Sequence, residues 1–206
     1  MNDRMILNTN FKGFYNSKIN ESSNLQVIGK GHHFVTLVDD TDEGMEGTVI
    51  KEPINGGKIS SLELKKHQFM KDQERTGAFI KIFDINPNSI WAERADMQEG
   101  YDMCWDFANT YIDISGDEEY EDDDMKSDFI LKALDPLKSI VDWEWVGRLV
   151  AEDPTDSNLE SSRYLLDLRA RMKNVKSWPV KVFDIHAENI GMVDRDGIKK
   201  LVITDF

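Results

Sequence analysis

Turn-forming residues punctuate the first 95 positions so closely that only short strands and one helix fit between them. Gly29-Lys-Gly31, Asp39 to Gly47 and Pro53-Ile-Asn-Gly-Gly57 separate three runs of alternating or β-branched residues: Asn24 to Ile28, Phe34 to Val38 and Thr48 to Lys51. Strands this short with Gly and Asp turns between them read as an antiparallel meander. Ser60 to Arg75 then reads as a helix: Ser60 or Ser61 supplies the cap, Glu63 falls in the first turn, and Leu62, Leu64 and Phe69 supply apolar positions. Ala78 to Ile85 and Ser89 to Ala95 follow as two strands about Asn86-Pro-Asn88, a strong turn signal. The predicted order is three strands, a helix and two strands, after a lead-in of weak periodicity.

The remainder changes character. Gln98 to Tyr111, Phe129 to Val150 (with Pro136 early in it) and Leu159 to Lys176 read as helices. The last is the clearest, with Tyr164, Leu165, Leu168 and Met172 at helical spacing and basic residues suited to its C-terminal dipole. Trp178-Pro179 stops it. Asn189 to Val193 and Lys200 to Ile203 then flank Asp194-Arg-Asp-Gly197, a hairpin signal. The class is α+β, and 206 residues suit one compact domain or two small lobes.

Charge and composition exclude several functions. Apolar residues make up 40% and charged residues 31%, enough apolar material for a core and against wholesale disorder. No run of 18 apolar residues predicts a membrane span, and the first residues lack the apolar stretch of a secretory signal, so no membrane partner is expected. Cys104 is the single cysteine, which fits a reducing cytoplasm. The net charge of −14 repels phosphate backbones, so nucleic-acid binding is not expected. Half of it lies between Asp117 and Asp128, where eight acids accompany one lysine. That block reads as a solvated acidic loop separating two structured parts, or as an interaction tag for a basic partner.

Four pieces carry chemistry. Gly29-x-Gly31 would let backbone N–H groups approach phosphate oxygens closely. Strand alternation puts Val49 and Lys51 on one face, an apolar contact beside an ammonium. Glu63 on the following helix would pair with that lysine, with Glu74 as the competing candidate. Finally, Asp184 and Asn189 stand five residues apart in Val182-Phe-Asp-Ile-His-Ala-Glu-Asn-Ile190, and Asp205 lies sixteen residues beyond Asn189. Asp, Asn and Asp oxygens suit Mg²⁺ with substrate phosphates rather than zinc.

In this order the pieces resemble the protein kinases: a Gly-x-Gly hairpin, a strand lysine, a helix glutamate, a D-x-x-x-x-N loop and D-F after a hairpin. The resemblance covers roughly residues 24 to 206. Ile28-Gly-Lys-Gly-His-His-Phe34, Val49-Ile-Lys51 and Phe183-Asp-Ile-His-Ala-Glu-Asn-Ile-Gly191 are more closely similar to the early-expressed serine/threonine protein kinases of T-seven-type bacteriophages. Those enzymes phosphorylate host proteins soon after infection. The resemblance implies a two-lobed fold: a five-stranded N-lobe over 1–97 and a reduced, mainly helical C-lobe over 98–206, with an acidic insertion at 113–128 and a catalytic loop at 182–190. It also implies ATP and Mg²⁺ as cofactors, host proteins as substrates and the cytoplasm of an infected bacterium as location.

Carried over residue by residue, the resemblance makes Asp184 the base at the substrate hydroxyl and puts Asn189 and Asp205 on Mg²⁺. Lys51 would grip the α- and β-phosphates with Glu63 behind it, Ile28 and Val49 would enclose the adenine, and the hinge would fall at Arg94 to Met97. Several positions depart from the pattern. Val182-Phe183-Asp184 replaces H-R-D, His186 stands where protein kinases carry a lysine, the third glycine of the phosphate loop is absent, and Phe34 comes one residue late. A histidine at that place is common in aminoglycoside-phosphotransferase-like enzymes, which brings in a small-molecule phosphotransferase as an alternative. The D-F-G glycine and the activation loop have no counterpart within the 206 residues. A pared-down kinase, a truncation and a pseudokinase or acidic decoy that blocks a basic host factor through Asp117 to Asp128 all fit that pattern.

Overall fold

The computed structural model describes residues 25–30, 33–38, 47–54, 56–116, 120, 122–179 and 185–206. It is α+β, with a five-stranded and a two-stranded sheet and five α-helices among the described residues. The chain divides into two compact units. One takes the described residues up to Lys71 together with Lys81–Arg94, and the other takes Asp72–Ile80 together with Ala95–Phe206. The division differs from a single cut after residue 97, because the chain crosses three times.

The first unit is an antiparallel sheet with one helix. Strands β1 (Gln26–Lys30), β2 (Phe34–Val38), β3 (Thr48–Pro53), β4 (Ile82–Ile85) and β5 (Ile90–Glu93) lie in the order β1-β2-β3-β5-β4. Val35, Leu37 and Ile50 are buried on one face, with Leu25, Val27, Ile54 and Trp91 packed against them. Period-2 alternation therefore sends Phe34, Thr36, Val49, Lys51, Ile90 and Ala92 to the other face. At the β4–β5 turn, Asn86 Oδ1 accepts the N–H groups of Asn88 and Ser89, each at 3.0 Å, as the Asn-Pro-Asn signal predicts.

Helix α1 (Ser61–Asp72) covers the Lys51 face, with the His67 ring edge-on to Phe34 at 5.6 Å. Ser60 Oγ accepts the Glu63 N–H at 3.1 Å, the capping bond expected of a serine there. The buried positions are Glu63, His67 and Met70, at i, i+4 and i+7. The expected apolar positions are not the inward ones: Leu62 is 66% exposed, and Leu64 and Phe69 are half-buried. The helix has no strong apolar stripe, so its rotation is set by what the sheet offers, here the Phe34 ring. It also stops at Asp72, short of the expected Arg75, and a 3₁₀ turn over Glu74–Thr76 follows.

The expected strand from Ala78 to Ile85 is divided between the units. Ile82–Ile85 pairs in the first sheet as β4. Ala78 to Ile80 pairs instead within the second unit, where Ile80 N–H donates to Ile203 O at 3.0 Å and Ile203 N–H to Ala78 O at 2.9 Å. Two arginines hold this segment: Arg171 donates to Gly77 O and to Leu201 O, and Arg195 donates to Phe79 O.

The second unit contains α2 (Met97–Ser115), α3 (Asp123–Leu134), α4 (Trp143–Glu152), α5 (Glu160–Met172) and the hairpin of β6 (Ile190–Arg195) and β7 (Ile198–Ile203). Leu165, Leu168 and Met172 are buried on α5, as its spacing predicts, while Tyr164 is half-buried. Its last-turn arginines act in tertiary contacts: Arg169 donates to Asp135 O at 2.8 Å, and Arg171 holds the 77–80 segment. Asp196 and Gly197, at φ 60° and 76°, form the two-residue turn that the Asp-Gly pair predicts. An aromatic cluster joins α2, α3 and α4: Phe107 stacks on Trp143 at 5.4 Å, and Tyr111 contacts Phe129 at 5.4 Å.

Two expectations fail between residues 117 and 150. The helix expected over Phe129–Val150 is two helices. It breaks at Asp135, because a residue before proline avoids the helical region, and Asp135 Oδ1 then accepts the Leu137 and Lys138 N–H groups. The acidic block is likewise not wholly a solvated loop. Asp122 caps α3 by accepting the Met125 N–H at 2.8 Å, and Asp123 and Asp124 sit in the first turn, where the helix dipole favours anions. Tyr120 packs against Phe129 at 5.3 Å. Asp117 to Glu119 and Glu121 lie outside the described residues. Asp122→Ala is accordingly expected to cost about 1 kcal/mol, seen as a fall of roughly 2–8 °C in melting temperature. An unchanged melting curve would return the segment to the solvated-loop reading.

Cys104 faces the core of α2, and burial pushes its thiol up to about 12. At pH 8 almost none of it is thiolate, so a thiol reagent should label the native chain only at the rate of unfolding. Immediate stoichiometric labelling would show that this face of α2 is open.

Candidate functional site

In the first unit, strand register aligns three of the expected residues. Gly29 pairs with Thr36, and Thr36 pairs with Lys51, so they form one row across β1, β2 and β3. Gly29 was expected at the hairpin turn and lies instead inside β1, just after a bulge between Val27 and Gly29. Its backbone does not need a positive φ, and a Cβ placed on it would meet Thr36 Cβ at an ordinary 3.7 Å. Glycine in a strand marks a bulge, as here, or a place where a ligand or another backbone approaches closely. Gly31 lies outside the described residues. Ile28 is the extra residue of the bulge and 45% exposed, while Val49 is buried.

Lys51 is half-buried in the middle of β3, on the face that α1 covers. Glu63 is buried on α1, which places the two on the same side of the sheet. Glu63 Oε1 makes an ion pair with Lys66 at 3.5 Å. Glu63 Oε2 is buried without a hydrogen-bond partner among the described residues. Glu74, the competing candidate, is exposed in the 3₁₀ turn beyond the helix.

In the second unit, the β6–β7 hairpin brings together residues far apart in sequence. Ile190 pairs with Ile203, so Asn189 and Thr204 face each other at the open end of the hairpin. Thr204 donates to Asn189 O twice, from its N–H at 2.8 Å and from Oγ1 at 3.1 Å. Asp205 follows directly, its Oδ1 accepting the Phe206 N–H at 2.7 Å. Phe206 is buried, 6.0 Å from the Phe79 ring, which also meets Trp178 at 5.7 Å. Asn189 ends a short 3₁₀ turn over Ala187–Asn189, and its side-chain Nδ2 stands 3.1 Å from His186 Nε2. Asp184 lies outside the described residues, and the described stretch resumes at the buried Ile185.

Helix α2 seats this hairpin through a backbone contact that the sequence did not signal. A Cβ on Gly100 would stand 2.4 Å from Ile190 O and 2.6 Å from Gly191 Cα. Asp96 and Met192 exchange backbone hydrogen bonds at 2.8 Å beside it. Thr204, Gly100 and Gly191 are thus the residues that locate Asn189, and all three were missed. The only available signal was a glycine inside a helix, where it costs about 1 kcal/mol unless packing requires it.

As a donor set, the Asn189 carboxamide and the Asp205 carboxylate at one end of a hairpin are hard oxygens. They fit Mg²⁺ bridged to phosphate better than a soft metal. No family model, no curated protein and no solved structure matches this chain.

Proposed function

We propose that the chain is a protein-kinase-like phosphotransferase that uses Mg-ATP to phosphorylate serine or threonine hydroxyls of proteins. What chiefly supports the reading is the β6–β7 hairpin: its register gathers Asn189 and Asp205, sixteen residues apart in sequence, at one end. A second support is the shared sheet side of Lys51 and Glu63, the strand lysine and helix glutamate that this chemistry uses. The choice of protein over small-molecule substrates, and the setting of a phage-infected bacterial cytoplasm, rest on the similarity of residues 28–34, 49–51 and 183–191 to the phage kinases.

In this mechanism Asn189 and Asp205 would hold Mg²⁺, which would supply neutralisation of the triphosphate charge. By the resemblance, Lys51 would offer a point charge to the α- and β-phosphate oxygens. Asp184 orients the substrate hydroxyl and accepts its proton as the oxygen bonds to the γ-phosphorus. The bond from that phosphorus to the β,γ-bridging oxygen breaks, and ADP leaves. Most of the rate comes from positioning and charge stabilisation.

Incubation with labelled ATP and a bacterial lysate tests the reading, with and without Mg²⁺. Label transferred to proteins only with Mg²⁺ is the expected result. ATP consumption with label in small molecules would move the substrate class, and absence of ATP binding would leave the decoy reading in its place.

A further inference from the structure

We propose that His186 is a positioning residue for the metal site: it holds the Asn189 carboxamide by its NH₂ end, so that Oδ1 is the atom offered to the cation. The inference rests on the metal-site reading above. A carboxamide has two ends of nearly equal shape, one an acceptor and one a double donor. Only the oxygen can ligate a hard cation. An asparagine ligand without a neighbour that distinguishes the ends would spend part of its time presenting NH₂ to the metal.

The geometry supplies such a neighbour. His186 is the residue before the 3₁₀ turn and Asn189 its last, and in a 3₁₀ turn side chains at i and i+3 eclipse. The backbone closes the same turn, with the Asn189 N–H donating to His186 O at 2.9 Å. Thr204 fixes the Asn189 carbonyl from the other side. His186 Nε2 meets Asn189 Nδ2 at 3.1 Å, a bond in which the ring nitrogen accepts. That requires the ring proton on Nδ1, and Nδ1 is the nitrogen facing the Glu188 carboxylate, 4.0 Å away. The arrangement parallels the way outer residues orient metal ligands elsewhere in proteins. It gives His186 a role other than the phosphate contact of the lysine it replaces, because the nitrogen that would reach a phosphate is occupied by Asn189.

A double-mutant cycle on the whole chain tests this, reading Mn²⁺-ATP affinity by calorimetry. His186→Ala should weaken binding about tenfold, the lower end of what loss of an outer partner costs. Asn189→Asp offers oxygen at both ends, so it should bind Mn²⁺-ATP, and adding His186→Ala to it should change affinity less than about twofold if the coupling is through the amide. Equal losses in both backgrounds, or no loss in the first, would overturn the inference and leave the metal site standing. Failure of the parent chain to bind Mn²⁺-ATP would overturn both. Where the alanine variant melts early, His186→Phe retains the ring volume without an acceptor and carries the same expectation.

Discussion

Asp205→Asn is expected to lose most Mg²⁺-dependent nucleotide binding, whereas Asp184→Asn is expected to keep it while transfer falls by about two orders of magnitude or more. The two substitutions remove different things. On the proposed reading, a charged ligand at Asp205 would become neutral, and cation affinity depends on ligand charge. The backbone there is held independently of the carboxylate charge: Thr204 is bonded to Asn189, and Phe206 is buried beside Phe79. An asparagine should therefore sit where the aspartate sat, so that a loss of binding reports on charge rather than on unfolding. On the proposed reading, the change at Asp184 would take a base from the substrate hydroxyl and leave Asn189 and Asp205 unaltered. Calorimetry with Mg-ATP and an initial-rate transfer assay on both variants separate these effects. If Asp205→Asn binds Mg-ATP as the parent does, the hairpin end is not the metal site.

The second large effect is on stability. Gly100→Ala should destabilise the second unit by about 1–3 kcal/mol, the range for forcing extra atoms into a packed interior. The upper part of that range is expected, because the added Cβ meets backbone, Ile190 O at 2.4 Å, and backbone cannot swing aside as a side chain can. Gly191→Ala approaches the same seam from the other side, 2.6 Å from Ala95 Cβ. Gly57→Ala is the control, since a Cβ there meets nothing within 4 Å. Thermal melts of the three variants should show a large fall for the first two and almost none for the third. A Gly100→Ala chain that melts with the parent would mean that α2 does not seat the hairpin so closely.

Much of the fold was legible because its turns are made by residues with local reasons to turn. Asn86-Pro-Asn88 closes through its own side chain, Asp196-Gly197 takes positive φ, and Ser60 caps α1. What was not legible depends on distant partners. Nothing local to Ala78-Phe79-Ile80 says that it will bridge to Ile203 while Ile82–Ile85 joins the other sheet. The rotation of α1 was hidden for the same reason: an edge contact with Phe34 turns Glu63 and His67 inward ahead of Leu62. The break at Asp135-Pro136, by contrast, was written in the sequence, since proline restricts the residue before it. In the candidate site the proposed ligands could be named from residue type and order. The residues that bring them together could not, because Thr204 acts through the Asn189 carbonyl and Gly100 through the absence of a side chain.

The central claim is that the hairpin end carrying Asn189 and Asp205 takes a nucleotide through a divalent cation, and titration of the whole chain with ATP tests it most directly. The expected result is binding in Mg²⁺ that disappears in EDTA, because the proposed carboxylates, Asp205 and Asp184, would repel a bare triphosphate. Equal affinity with and without the metal, or no binding in either, would contradict it.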